Sequence, residues 1–317
     1  MNFQKIPPVE TSKDILDIAF RKARERGKQK NLKGNWLEII RKKESLKLDI
    51  VKESITSRLQ KIYEIFPKFD ELPPFYTSLF KLTQDDKLYL ESLYSVKWAI
   101  KQVSDLHKDH VRRVVKVKTR EDAKEILTQF YGRASSILKQ ISKRLKVLEE
   151  ARKIMRTYPD IKELFTVCIY GFPNVGKTTL LNQLTGTKAE TAAYAFTTKS
   201  INAGYMTINK EKVQVLDVPG TLARDNKMND IERQAELVLN DLADVIIYVF
   251  DVSGTSGYSL VIQEELFTKV KDRKDVIIYL SKKDIISEEQ ILSFKYPHLT
   301  FREIKKEIGE HLKNKQI

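Results

Sequence analysis

Between residues 171 and 178 the chain reads Gly-Phe-Pro-Asn-Val-Gly-Lys-Thr, which meets every fixed position of the spacing G-x-x-x-x-G-K-[ST]. Those residue types at that spacing do phosphate chemistry. Gly171 and Gly176 leave the backbone free to turn its N–H groups toward one point, and a helix starting there adds the positive end of its dipole. Asn174 and Val175 lie within the loop. Lys177 would reach the β- and γ-phosphates of a nucleotide as a point charge, and the Thr178 hydroxyl, with Thr179 beside it, would take one Mg²⁺ position. Such a loop must be delivered by a strand and left by a helix. Phe165-Thr-Val-Cys-Ile-Tyr170 has strand character, and Leu180, Leu181 and Leu184 recur at helical spacing. A chance glycine turn between a buried strand and a helix would explain the loop alone, but not the ordered motifs downstream of it.

Three further stretches come in the order that a nucleotide site needs. A strand over 212–217 ends in Asp217-Val-Pro-Gly220, where Asp217 would hold Mg²⁺ through water and the Gly220 N–H would sense a γ-phosphate. Upstream of it, Tyr194-Ala-Phe-Thr-Thr-Lys199 offers Thr198 to coordinate Mg²⁺ when the γ-phosphate is present, so the order of that segment would report nucleotide state. A strand over 276–280 runs into Ser281-Lys-Lys-Asp284, in the place of a guanine-reading N-K-x-D, with Ser281 and Lys282 as its first members. A carboxylate at Asp284 can accept from both N1–H and the 2-amino group of guanine, and adenine offers neither donor in that arrangement. The implied ligands are GTP or GDP with Mg²⁺.

The elements that must hold these residues can be read from periodicity. Candidate strands at 165–170, about 201–208, 212–217, 245–251 and 276–280 alternate with helical patterns, which predicts an α/β P-loop domain with a mostly parallel sheet over residues 161–317. Residues 1–160 show no strand-like alternation and read as an all-α bundle of long antiparallel helices. A helix is expected over 11–26, with Thr11 and Asp14 as a capping box and Gly27 as its stop. Another runs from Trp36 to Ile65, closed by Phe66-Pro67, and a turn-rich stretch from Asp70 to Phe75 resets the chain. Further helices are expected from about Asp85 to Val117, from Thr119 with Asp122, and over Tyr131 to Arg156.

Charge divides the chain at the same place. Residues 1–160 hold 36 Lys and Arg against 22 Asp and Glu, while residues 161–317 hold 21 against 21, so the whole excess of +14 precedes the phosphate loop. A basic half beside a neutral one points to a polyanion met by the first half. Its cations cluster as Arg41-Lys42-Lys43, as Arg112, Arg113, Lys116, Lys118 and Arg120, and as Lys139, Lys143, Arg144 and Lys146. Any one cluster reads most simply as a solvated helix face; together they point to RNA phosphates, contacts that position a protein without reading sequence. No zinc knuckle, aromatic platform or other RNA-reading motif is evident, so recognition would rest on shape and charge.

A mean hydropathy of -0.40 and the lack of any apolar run near the roughly 18–20 residues that cross a bilayer predict a soluble protein with no membrane partner. Met1 to Pro8 lacks the apolar core of a signal peptide, and a cytoplasmic monomer is expected. The single cysteine, Cys168, falls inside a buried strand and reads as a core residue. His107, His110, His298 and His311 form no metal set; His107 and His110, one helical turn apart, read as surface residues.

With the motifs in place, Gly171 to Thr178, Tyr194-Ala-Phe-Thr-Thr-Lys-Ser200 and Asp217-Val-Pro-Gly220 resemble the Obg superfamily of GTPases. Within it the likeness is to the nucleolar GTP-binding protein (Nog) family, in a short form like its archaeal members. Upstream, Phe66-Pro67, Pro74-Phe-Tyr76, Tyr131-Gly-Arg133, Leu148-Glu-Glu-Ala-Arg152 and Tyr158-Pro159 resemble the helical domain those proteins carry before the GTPase. The resemblance implies a GTPase that assists large ribosomal subunit assembly, its helical domain lying on precursor rRNA and its partners the rRNA and proteins of that subunit.

Three departures qualify it. Ser281 replaces the usual Asn, which implies weaker nucleotide binding with guanine preference kept. Thr221 follows Gly220 where Ras-like enzymes place a water-orienting Gln, which implies slow intrinsic hydrolysis. The last guanine-base loop, usually S-A-x, has its best match in Leu299-Thr-Phe301. Related GTPases that lack the Gln but carry Asn at the position of Asn174 often use a bound K⁺ near the phosphates; here Asn174 either serves such a K⁺ or caps the loop through its own side chain. Two rival readings stand beside an active GTPase. One is a nucleotide-gated rRNA-binding placeholder with negligible hydrolysis. The other, an enzyme of tRNA or nucleotide metabolism, would need a second reactive constellation, and none is evident.

Overall fold

The computed structural model describes residues 3–27, 34–158, 161–186, 190–192, 201–219 and 230–315. Its packing divides into two compact units, Phe3–Leu72 with Phe80–Arg156, and Pro73–Leu79 with Thr157–Ile317.

The first unit is helical. It contains α1 (Ser12–Arg26), α2 (Trp36–Ile65), the later part of α3 (Pro74–Thr83), α4 (Asp86–Val114), α5 (Arg120–Gln140) and α6 (Ser142–Met155). Four of these helices, α1, α2, α4 and α5, start where a side chain can take up a free N–H. Thr11 and Asp14 form the expected capping box, Asn35 and Glu38 form another, and Asp85 and Thr119 accept from Leu88 N and Asp122 N. α2 is about 45 Å long at 1.5 Å per residue. Its Leu48, Val51, Ile55 and Leu59 recur at three- and four-residue spacing and are fully buried, as are Val96, Ala99 and Val103 of the neighbouring α4.

Three local expectations needed correction. The turn-rich stretch after Asp70 turns helical at Pro74, because a proline in the first turn loses no hydrogen bond it could have made. The run from Tyr131 to Arg156 is two helices, broken at Ile141 (φ −90°, ψ 1°), which ends α5 and opens α6. Gly27 does end α1, but with φ −62° it uses no left-handed turn, so its backbone angle is one any residue can take.

The second unit is built on a six-stranded sheet in the order β2-β3-β4-β1-β5-β6. The strands are β1 (Phe165–Tyr170), β2 (Glu190–Ala192), β3 (Ile201–Ile208), β4 (Glu211–Asp217), β5 (Val245–Phe250) and β6 (Asp275–Leu280). α7 (Lys177–Thr185), α8 (Asp230–Asp241), α9 (Leu260–Val270), α10 (Glu288–Leu292) and α11 (Phe301–Asn314) complete it. β4, β1, β5 and β6 are mutually parallel, whereas β3 runs antiparallel to β4 and β2 to β3. The short strand β2 had no signal in the sequence reading. The reversal at β3 follows from chain length: only Asn209 and Lys210 separate the strands, and a parallel return needs a dozen or more residues. Both take positive φ, 52° and 70°, the pattern of a type I′ hairpin turn.

All six residues of β1 and of β5 are buried, which fits the unbroken apolar run of β5 and the one of β1 that only Thr166 interrupts. Cys168 is among them, and burial pushes its thiol far above the ordinary range, leaving a core residue with no nucleophilic character. No helix among the described residues is long and apolar enough to cross a membrane. The carboxyl ends of the four parallel strands lie side by side, the edge where open α/β sheets place ligands. Each leads into a polar segment: Gly171 after β1, Asp217 at the end of β4, Asp251 after β5 and Ser281 after β6.

Candidate nucleotide-binding site

The turn between β1 and α7 is shaped by backbone angles that most residues avoid. Gly171 sits at φ +146°, where a Cβ would lie 2.7 Å from the Val249 carbonyl oxygen of β5. Asn174 sits at φ 61° and Gly176 at φ 96°, in the left-handed region that asparagine and glycine tolerate best. A Cβ on Gly176 would meet Ser281 Cβ at 3.4 Å, so the phosphate loop and the segment after β6 touch at this point. Val175 is fully buried and anchors the loop from below. The Lys177 side chain is buried, and its Nζ donates to the Phe172 carbonyl oxygen of the loop at 2.8 Å. Thr178 and Thr179 follow in the first turn of α7, whose leading N–H groups have no helical partner.

Two oxygen ligands converge beside that turn. Thr178 Oγ1 donates to Asp217 Oδ2 at 2.5 Å, and Asn202 Nδ2 of β3 donates to the same oxygen at 3.3 Å. Asp217 is carried there by strand register, opposite Ile169 in β1 and Asn202 in β3. A hydroxyl and a carboxylate are the hard donors that Mg²⁺ takes. A cradle that a Cβ would obstruct, a buried lysine and this oxygen pair together fit a nucleotide with Mg²⁺. Thr198, Gly220 and Thr221, with the rest of 194–199, lie outside the described residues.

At the other end of the site, the Ser281 N–H and Oγ both donate to the Phe250 carbonyl oxygen at 3.0 Å. Its hydroxyl therefore ties β6 to β5, and does not reach the phosphate loop as an amide could. Lys282 takes a left-handed conformation (φ 54°), and Asp284 follows in a short 3-10 turn with its side chain exposed to solvent. Leu299 adds one parallel pairing to Tyr279 beyond β6, and Thr300 caps α11 by accepting from Glu303 N.

The residue that organises this end was not singled out in the sequence. Asp251, 1% exposed, accepts from Lys282 Nζ at 2.7 Å, Ser256 N at 2.8 Å, Ser253 N at 3.0 Å and Ser253 Oγ at 2.5 Å. Lys282 Nζ also donates to Thr255 Oγ1 at 2.7 Å. Gln263, fully buried on α9, brackets the backbone of Asp251: its Oε1 accepts from Asp251 N and its Nε2 donates to Asp251 O, both at 2.9 Å. Burial alone would raise the Asp251 carboxyl, but the hydrogen bonds from Lys282, Ser253 and Ser256 prevail and hold it below its ordinary value. The signal was available: an aspartate directly after the apolar run Val245–Phe250, followed by Ser253-Gly-Thr-Ser-Gly257.

In the helical unit, the cations proposed for RNA divide into two kinds. Arg41 donates through Nε and Nη2 to the Val117 carbonyl oxygen at 3.0 and 2.6 Å, and Arg113 Nη2 donates to Gln129 Oε1 at 2.7 Å, so both hold helix ends and neighbours together. Lys42, Arg112, Lys116, Lys139 and Lys143 are exposed, and Lys43 is half-buried. Of the two histidines of α4, only His107 keeps any exposure. His110 is fully buried against Phe130, with Nδ1 on the Leu106 carbonyl oxygen at 2.8 Å. His107 Nε2 lies 2.6 Å from Asp49 of α2, a partner that only tertiary packing supplies. No metal-binding cluster of His, Cys, Asp or Glu occurs among the described residues.

Comparison with known proteins agrees with the helical and α/β parts of the fold. Residues 3–162 match the model of the NOG1 N-terminal helical domain, and residues 166–283 that of the 50S ribosome-binding GTPase. An uncharacterized protein of Methanocaldococcus jannaschii is 34% identical over 295 residues, covering 91% of this chain and 83% of its own length. Nucleolar GTP-binding protein 1 of Drosophila melanogaster is 32% identical over 92% of this chain, and that of Saccharomyces cerevisiae 28%. The chain spans 45% and 46% of those two, about half the length of the nucleolar relatives it matches.

Proposed function

Because the chain belongs to the nucleolar GTP-binding protein 1 family and carries that family's helical domain followed by a GTPase domain, we propose that it works as a large ribosomal subunit assembly factor, gated by GTP and seated on rRNA through its helical unit. As a member it is a P-loop GTPase that binds guanine nucleotide. The observation that carries the mechanism is the meeting of Thr178 and Asp217 at 2.5 Å, beside a loop whose glycines sit against β5 and Ser281. One contact set thus joins the phosphate end to the base end.

Bound Mg²⁺ would supply charge neutralisation at the β- and γ-phosphates. Thr178 and Asp217 would hold it, with Thr198 joining when GTP is bound. Lys177 would leave the Phe172 carbonyl oxygen for phosphate oxygens. Asp284 would accept from the guanine edge, and Lys282, fixed by Asp251, would set the angle at which Asp284 is presented. Hydrolysis would be slow, because Thr221 cannot orient water at the reach of a Gln, with K⁺ beside Asn174 as a compensating charge. The φ of 61° at Asn174 gives asparagine a structural reason to stand there as well. The protein would act as a cytoplasmic monomer on precursor rRNA and large-subunit proteins. Thr221 also favours the second reading, a placeholder that binds nucleotide and RNA but turns over negligibly.

Sedimentation with ribosomal particles from its own cells tests the proposal. A large-subunit band that strengthens with a GTP analogue, relative to GDP, and weakens as salt rises is the expected result. Absence from every ribosomal fraction at low salt would overturn the assembly role and leave the GTPase.

A further inference from the structure

α4 carries an aromatic stripe that the helical core does not use. Tyr94 and Trp98 stand one turn apart and are 61% and 40% exposed, while Leu93, Val96 and Ala99 on the other side of the helix are buried. The flanking groups are cations. Lys97 and Lys101 are exposed, and neither pairs with a carboxylate among the described residues. The Lys97 ammonium lies 5.5 Å from the centre of the Tyr63 ring, and that of Lys68, itself bridged to Glu71, lies 5.4 Å from it. The nearby acidic residues of α4 are engaged elsewhere, Glu91 with Arg144 at 3.0 Å and Asp105 with Lys108 at 3.5 Å. In the sequence, Tyr94 and Trp98 pass for part of an apolar helix face.

Two exposed rings beside ammonium groups that have no carboxylate partner among the described residues, on the unit that holds the chain's entire positive excess, match one ligand chemistry. Every nucleobase has a face that stacks on an aromatic ring, and its phosphates take the lysines. We propose that the Tyr94–Trp98 stripe is a stacking platform for unpaired RNA bases, with Lys97 and Lys101 on the adjoining phosphates. The proposal rests on the reading of the helical unit as RNA-binding and narrows it to a loop, bulge or end, since bases stacked within an A-form duplex offer no free face.

The chain has two tryptophans, so the W36F variant of the full chain leaves Trp98 as its only indole. Titration with single-stranded oligoadenylate should quench Trp98 emission saturably, and less tightly as salt rises. Replacing either ring with alanine should weaken binding of labelled oligoadenylate by about 5- to 150-fold, the usual worth of one stacked base. Y94F, which keeps the ring, should bind as the parent does and so controls for folding. A duplex of the same length should bind without quenching. Unchanged affinity in Y94A and W98A, or Trp98 emission indifferent to saturating oligoadenylate, overturns the platform while leaving RNA binding through other clusters. Failure of the full chain to bind any RNA at low salt overturns both readings. Quenching by purified large-subunit ribosomal proteins but not by RNA would make the stripe a protein-docking face and overturn the proposal.

Discussion

Replacing Asp251 with asparagine changes one charge and no volume, and the structure sets what that should cost. The two carboxylate oxygens serve different donors. Oδ2 accepts from Lys282 Nζ, Ser256 N and, at 3.4 Å, Thr255 Oγ1, and Oδ1 accepts from Ser253 N and Oγ. An asparagine there can place its oxygen on only one side, so its NH₂ must face a backbone N–H whichever way the amide turns. One buried donor then loses its acceptor, at about 1–3 kcal/mol, and the ion pair with Lys282 is lost as well. Lys282 is partly exposed, so water recovers some of that second loss. If about 1.5–3 kcal/mol of the disturbance falls on the base-reading segment, GDP affinity should drop by about 10- to 150-fold. Titration with a fluorescent GDP analogue reads this directly, and circular dichroism of the nucleotide-free variant separates it from global unfolding. T255A, which removes an acceptor of Lys282 together with contacts to Asp251 Oδ2 and Ser253 Oγ but leaves the Asp251–Lys282 pair, should lose no more than about tenfold. D251N binding GDP within about twofold of the parent, with its fold intact, would refute the idea that Asp251 positions Lys282.

Other expectations follow from individual contacts. G171A must place a Cβ at φ +146° and 2.7 Å from Val249 O, so it should lower the thermal midpoint of the nucleotide unit by several degrees and abolish tight GDP binding; a midpoint within about 2 °C of the parent would count against the close approach. S281N restores an amide near Gly176, at the cost of the Ser281 Oγ bond to Phe250, and should tighten GDP binding by roughly 2- to 10-fold; weaker binding would show the amide finds no partner. Burial, with Arg113 adding to it and the Leu106 carbonyl opposing, holds the His110 imidazole below its ordinary value of 6.5. The unfolded chain therefore takes a proton at His110 that the folded chain refuses. Stability on this account is complete above about pH 6.5 and falls as pH drops through the lower folded value. Urea midpoints between about pH 7.5 and 5.5 should decline in the parent and flatten in H110Q, and parallel curves would refute it. GTP hydrolysis should run faster in KCl than in NaCl at equal ionic strength if Asn174 serves a K⁺; equal rates would leave the asparagine to its backbone role.

What the sequence disclosed was the chemistry that acts through short spacings. Gly171 to Thr178 and Asp217 declared themselves by type and order, and β1, β5 and β6 by their apolar runs, because strand burial and loop composition are local properties. Asp251, His107 and the Tyr94–Trp98 stripe were missed for the converse reason. Their meaning depends on partners 31 residues or more away, as with Lys282, on Asp49 across a helix pair, or on which side of α4 the bundle leaves open. The break at Ile141 escaped because its residues all have fair helix propensity, and only packing decides where such a run divides.

The register of β1 also fixes an order of events during synthesis. The helical unit is complete once Arg156 has emerged, before any strand of the sheet exists. β1 then has no lasting partner until β4, and none on its other side until Val245, about 80 residues later. At roughly 5–20 residues per second, that is a delay of about 4–16 s in which a largely apolar strand lacks its second partner while the basic bundle is already folded. If the first unit binds an anionic surface as proposed, a nascent chain would meet it before its nucleotide site is able to form. Control by GTP would then begin only when translation has carried β5 clear.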